Sequence, residues 1–157
     1  MIPQIYTHGR VIPADVVAFR PAVYGILIDE YQQIFLVRHH ETGFWFPPGA
    51  ILQPHETLKQ AVCYHFRQAT GITPEVGQLL LVEERHMCNG TGQNLQVMAF
   101  YYVLRRSVMT AVTRNEANET AVEGRWFPLT ELKRTDLQFG YDAIHLAQRM
   151  LDNPPGR

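Results

Sequence analysis

Gly49-Ala50-Ile51-Leu52-Gln53-Pro54-His55-Glu56-Thr57-Leu58-Lys59-Gln60-Ala61-Val62-Cys63-Tyr64-His65-Phe66-Arg67-Gln68-Ala69-Thr70-Gly71-Ile72 is the stretch that decides the fold. Thr57 followed by Gln60 is a capping-box pattern: the Thr hydroxyl can accept from the Gln60 amide while the Gln side chain reaches back. Leu58, Ala61, Val62, Phe66 and Ala69 then recur at helical spacing, and Gly71 has the character of a C-terminal glycine cap before Ile72. The spacing predicts an amphipathic helix over Thr57 to Thr70. Just ahead of it, Glu41 to Ala50 carries Gly43, Pro47, Pro48 and Gly49 around Trp45 and Phe46, which predicts a structured loop.

Working outward, Ala22 to Ile28 and Ile34 to Val37 read as two strands joined by a turn at Asp29-Glu30-Tyr31. Ile34, Phe35, Leu36 and Val37 are apolar in succession rather than alternating, as in a strand covered on both faces, so a helix layer is expected on each side. The box helix should lay its apolar face on the sheet that contains Ile34 to Val37. Leu79 to Val82 and Val97 to Leu104 predict a hairpin across a polar, mobile loop, Cys88 to Asn94. Trp126-Phe127-Pro128 reads as a short strand and Leu129 to Leu132 as a helical turn. The last helix should run from about Tyr141 to Leu151, with Ile144, Ala147 and Leu151 on one face. Strands, loop and helix, strands, helix is the order of an α/β fold with a mixed β-sheet between helices.

With 157 residues, 46% of them hydrophobic, one domain over 1–157 is expected, its core within about 20–152 between a short N-terminal extension and a loose tail. Fourteen Lys and Arg against 15 Asp and Glu leave a net charge of -1, which points away from nucleic acid or membrane and toward a small molecule. The longest apolar run, Val97 to Leu104, is too short to span a bilayer, and Met1 to Arg10 lacks a signal-peptide pattern, so a soluble, cytoplasmic protein is expected. Cys63 and Cys88 form no CxxC pair, which disfavours a disulfide-stapled fold and a four-cysteine zinc site. The chain is compatible with a homodimer.

The segments Phe44-Trp45-Phe46-Pro47-Pro48-Gly49-Ala50, Pro54-His55-Glu56-Thr57 and Ala69-Thr70-Gly71-Ile72 resemble the box of the Nudix (MutT-like) hydrolases. Matched to that box without a gap, Ala50 takes the glycine position, Glu56 the first glutamate, Tyr64 and His65 the Arg-Glu pair, and Gln68 and Ala69 the Glu-Glu pair. The likeness extends from about Ala22 to Leu151 and implies a Nudix-type α/β/α sandwich. It also implies hydrolysis of nucleoside diphosphate-linked compounds, with magnesium or manganese held by helix carboxylates that neutralise phosphate oxygens and acidify water.

Positions 65, 68 and 69 share one helix face, and here that face carries an imidazole, an amide and a methyl group. The expectation is a nucleotide-like ligand bound with hydrolysis weak or lost. One alternative is an active enzyme with an altered metal site; another is a non-enzymatic interaction module. Candidate catalytic residues are Glu56, His65 and Glu119, and weak metal candidates are Glu56, Glu116 and Glu119. Zinc could involve His65, although a hydrogen-bonded core histidine is the blander reading. Glu56, near the helix start, also suits a structural role at exposed amides. Arg38 and Arg85 are candidate ligand contacts because guanidinium matches phosphate, Gln68 could assist, and Trp45, Phe46, Tyr24 and Phe100 offer aromatic surface for a base. Ala50, if forced to positive φ where the family has glycine, would cost on the order of 1 kcal/mol.

Overall fold

The computed structural model describes residues 4–7, 10–13, 17–39, 43–88, 92–107 and 122–154, the first two stretches as backbone only. The strands are β1 (Gln4–Thr7), β2 (Arg10–Pro13), β3 (Val17–Leu27), β4 (Gln33–His39), β5 (Trp45–Phe46), β6 (Gly49–Ile51), β7 (Pro74–Cys88), β8 (Asn94–Arg106) and β9 (Val122–Pro128); the helices are α1 (Leu58–Thr70) and α2 (Tyr141–Asp152). Sheet order is β6-β3-β8-β7 in a mixed sheet and β5-β4-β9 in an antiparallel one, with β1 and β2 paired to each other. In the mixed sheet β3 runs parallel to β8 and antiparallel to β6, as β7 does to β8.

Helix α1 begins and ends as its sequence dictates. The Thr57 hydroxyl accepts from the Gln60 amide at 3.2 Å, and the Gln60 side chain accepts from the Thr57 amide at 3.3 Å. Gly71 takes the left-handed φ of 77° that a side chain would resist, and its N–H closes on the Arg67 carbonyl at 2.8 Å. Ala61, Val62 and Phe66 are buried, and Val62 and Phe66 contribute about 1.5–3 kcal/mol each by leaving water. They settle mainly on β3, β6 and β7; Ile34 to Val37, all buried in β4, are reached through the edge of Phe35 on Phe66, centroids 6.3 Å apart. The helix therefore packs chiefly on the mixed sheet rather than on the sheet holding Ile34 to Val37. A glycine at position 25 allows this approach, since a Cβ there would strike Leu104 and press on Val62.

On the opposite side α2 buries Ala143, Ile144 and Ala147, while Leu151, expected on the same face, is 47% exposed. The turn between β3 and β4 is tied by Asp29, whose carboxylate accepts from the amides of Tyr31 at 2.9 Å and Gln33 at 2.8 Å. Both hairpin strands outrun the sequence reading: Cys88 and Asn94 are paired across β7 and β8, and 89–91 lie outside the described residues. Register shifts between Val76 and Leu81 break the alternation of β7 and leave Leu79 exposed.

The stretch read as a loop before α1 holds two short strands. Arg38 and Val37 pair with Trp45 and Phe46, and Ala50 pairs with Val23. Gln32 is the one non-glycine residue at positive φ among the described residues, so Ala50 carries none of the strain expected of it. The demand falls on Gly49, where a Cβ would run into the Val23 carbonyl oxygen and Tyr24. Among the described residues no helix is long and apolar enough to cross a membrane.

Candidate functional site

His65, Gln68 and Ala69 come together along the half-buried flank of α1, beside its buried stripe. Burial pushes the His65 imidazole below its ordinary 6.5 and the nearby Glu56 charge pulls it partly back, which keeps the ring neutral at pH 7. Its ring meets Tyr64 edge-on, centroids 5.2 Å apart. The Glu56 carboxylate accepts from the Gln53 amide at 2.9 Å, and the Glu56 amide returns a bond to the Gln53 carbonyl at 3.0 Å. Glu56 thus closes the turn that feeds the helix.

A neutral imidazole, an amide, a methyl group and one carboxylate engaged with the backbone do not fit magnesium or manganese, which exchange their water only for several charged oxygens. Zinc would need further nitrogen or sulfur ligands, and among the described residues no three His, Cys, Asp or Glu side chains converge. Glu116 and Glu119 lie outside the described residues.

Arg38 is placed by β4, opposite Glu123 on β9 and Trp45 on β5. Its Nε and Nη2 donate to the same Glu123 oxygen at 2.9 and 2.8 Å. Both side chains are more than a third exposed, so the pair contributes under about 1 kcal/mol and a phosphate could displace Glu123 at little cost. Trp45 is buried, with the Arg38 and Arg125 guanidinium carbons 4.8 and 5.4 Å from its ring centroid and Phe127 edge-on at 4.6 Å.

Arg85 is brought from β7 to a different group. Parallel pairing puts Tyr24 beside Tyr101, their rings 5.6 Å apart, and Phe139, ahead of α2, packs on Tyr24 at 4.7 Å and on Phe46 of the box loop at 5.2 Å. Over Phe139 lies the Arg85 guanidinium, 3.5 Å from the ring centroid. Glu83 stands 3.6 Å from Arg85 Nε and accepts from the Tyr101 hydroxyl at 3.4 Å. Burial raises both phenols above their ordinary pKa, which keeps them protonated. Phe100 is on the other face of the sheet. Sequence reasoning named Arg85 and Tyr24 but missed Glu83, Tyr101 and Phe139. Alternation along β7 marks Glu83 as sharing a face with Arg85; nothing local in the sequence brings Phe139 there.

A mixed sheet held between two helices, with a capped helix issuing from a glycine-proline loop, defines the class: an α/β/α sandwich whose candidate site lies on its first helix and that loop. The sequence profile of the NUDIX domain matches residues 18–147, and the chain belongs to the Nudix family. It is 25% identical over 129 residues, 80% of its length, to the human (Homo sapiens) 8-oxo-dGDP phosphatase NUDT18, and spans 37% of that protein. Its fold is shared with a NUDIX hydrolase from Nitrosomonas europaea (TM-score 0.64, 16% identity, 88% of this chain and 97% of that one) and with a UDP-X diphosphatase (TM-score 0.61, 17% identity, 89% and 66%).

Proposed function

We propose that this Nudix domain binds a nucleoside diphosphate-linked small molecule between the box loop and the Arg85 cluster, and that its metal-dependent hydrolysis is weak or lost. The observation that carries the second half is the α1 flank, where His65, Gln68 and Ala69 occupy the carboxylate positions and Glu56 is tied to the Gln53 amide. The first half is supported by Arg38, whose surface ion pair is easily opened, and by relatives and structural neighbours described as an 8-oxo-dGDP phosphatase and a UDP-X diphosphatase. The near-zero net charge agrees with a small-molecule partner, and the same reading puts the protein in the cytoplasm.

Turnover of 8-oxo-dGDP and a panel of UDP- and ADP-linked compounds, with magnesium, manganese and zinc in turn, tests this. Calorimetry should find binding, and product release should stay at the metal-only background. Magnesium-dependent turnover would overturn the reading. A second reading, an altered metal site built from Glu56, His65 and the 116–123 segment, is favoured by the Glu56 charge acting on the imidazole. It requires turnover with zinc or manganese that is lost in His65→Ala.

A further inference from the structure

Arg85 carries a side edge whose hydrogen bonds are unmade among the described residues. Its Nε and Nη2 groups present two parallel N–H bonds, the fork that takes a bidentate acceptor, yet both are buried from water and neither reaches a hydrogen-bond partner among the described residues. Glu83, at 3.6 Å, is within ion-pair range but beyond hydrogen-bond length. Buried donors left unpaired are costly, a penalty that a bound acceptor would relieve. Around the fork stand the Phe139 and Tyr24 rings, which suit a flat partner. Arg85 is 16% exposed and Glu83 28%, so the cluster opens to solvent on the carboxylate side.

A phosphate is a poor match for this place, because the Glu83 charge stands against it. A neutral, planar edge with a carbonyl beside an N–H matches both residues: the carbonyl accepts from the Arg85 fork and the N–H donates to Glu83. We propose that Arg85 and Glu83 together read the base of the ligand and select bases with a lactam edge, of guanine, hypoxanthine, uracil or thymine type. Adenine and cytosine in that pose set an amino group against the fork, donor against donor; turned over, they donate the amino group to Glu83 and offer the fork a ring nitrogen whose one lone pair serves only one of its two N–H groups. This deepens the nucleoside diphosphate reading above and rests on it.

Calorimetric titration of the full chain with GDP, UDP, ADP, CDP and inorganic pyrophosphate, all in EDTA, tests both separately. GDP and UDP should bind about tenfold or more tightly than ADP and CDP. Arg85→Lys keeps the cation and loses the fork, and Glu83→Gln loses the charged acceptor at the more open position; both should bring the ratio toward one. Circular dichroism and melting identify folded variants, and Glu83→Gln decides the matter alone if Arg85→Lys does not fold. Equal binding of the four nucleotides, or a preference untouched in a folded variant, overturns the base-reading role. Competition by pyrophosphate would leave the diphosphate reading standing in that case. If none of the five binds, both fall.

Discussion

His65 occupies a carboxylate position of the Nudix box and behaves as a half-buried neutral side chain. Its folded pKa lies below the unfolded value of 6.5, so between the two the unfolded chain holds more protons. The His65 contribution to stability is full above pH 6.5 and is lost as pH falls toward the folded value. The melting-temperature difference between the parent and His65→Asn should therefore shrink from pH 8 to pH 5, modestly, because the ring is only partly buried. A difference flat across that range would rule out burial as the cause. Gly49 and Ala50 show how a residue-scale reading goes astray. The box pattern put the backbone demand on Ala50, whereas extended pairing with Val23 suits any residue there, and the glycine requirement moves one place back, to the contact with the Val23 carbonyl. Close approach between strands depends on register, which no single position announces.

The element most legible in the sequence is α1, because its start, its end and its apolar stripe are all local signals, and the structure repeats each of them. β4 was equally plain, as a run of four apolar residues. β5 and β6 were not, since two and three residues flanked by prolines acquire strand character only from the neighbours they pair with. The ends of β7 and β8 were hidden by polar residues such as Glu83, Glu84 and Arg85, which read as loop until a partner strand satisfies their backbone. Of the candidate site, the α1 flank followed from helical spacing, while the Arg85 cluster needs β7, β3 and the segment before α2 to meet. The shared flank supports a prediction at this scale. His65→Glu, Gln68→Glu and Ala69→Glu combined should place three carboxylates on one face; their mutual repulsion, and the packing of Ala69 against the core, should lower stability by on the order of 2 kcal/mol without metal. Magnesium at a thousandfold excess over its Kd would add about 4 kcal/mol to such a variant. Thermal melts should show that gain in the triple variant and no shift in the parent, and a variant indifferent to magnesium would mean that the three positions do not converge.

Across the whole molecule, the mixed sheet turns on one long-range pairing. β3 and β8 run side by side from Val17 with Asn94 to Leu27 with Leu104, and β4, the box loop, α1 and β7 all lie between them in the chain. Each such pair closes a loop of roughly 80 residues, an entropic cost met before the contacts return anything. A fragment ending at residue 92 holds the complete capping box and Gly71 yet lacks the strand that β3 and β7 both need. Amide exchange in that fragment should find α1 unprotected, and protection in it as strong as in the full chain would show that the helix stands without the sheet. On the ribosome, the parallel pair sets a timetable. Arg38, the α1 flank, Glu83 and Arg85 are already synthesised when β7 is complete, but Tyr101 waits for β8 and Phe139 for the segment before α2, so the nascent chain emerges with most of its recognition residues made and no surface yet to hold them.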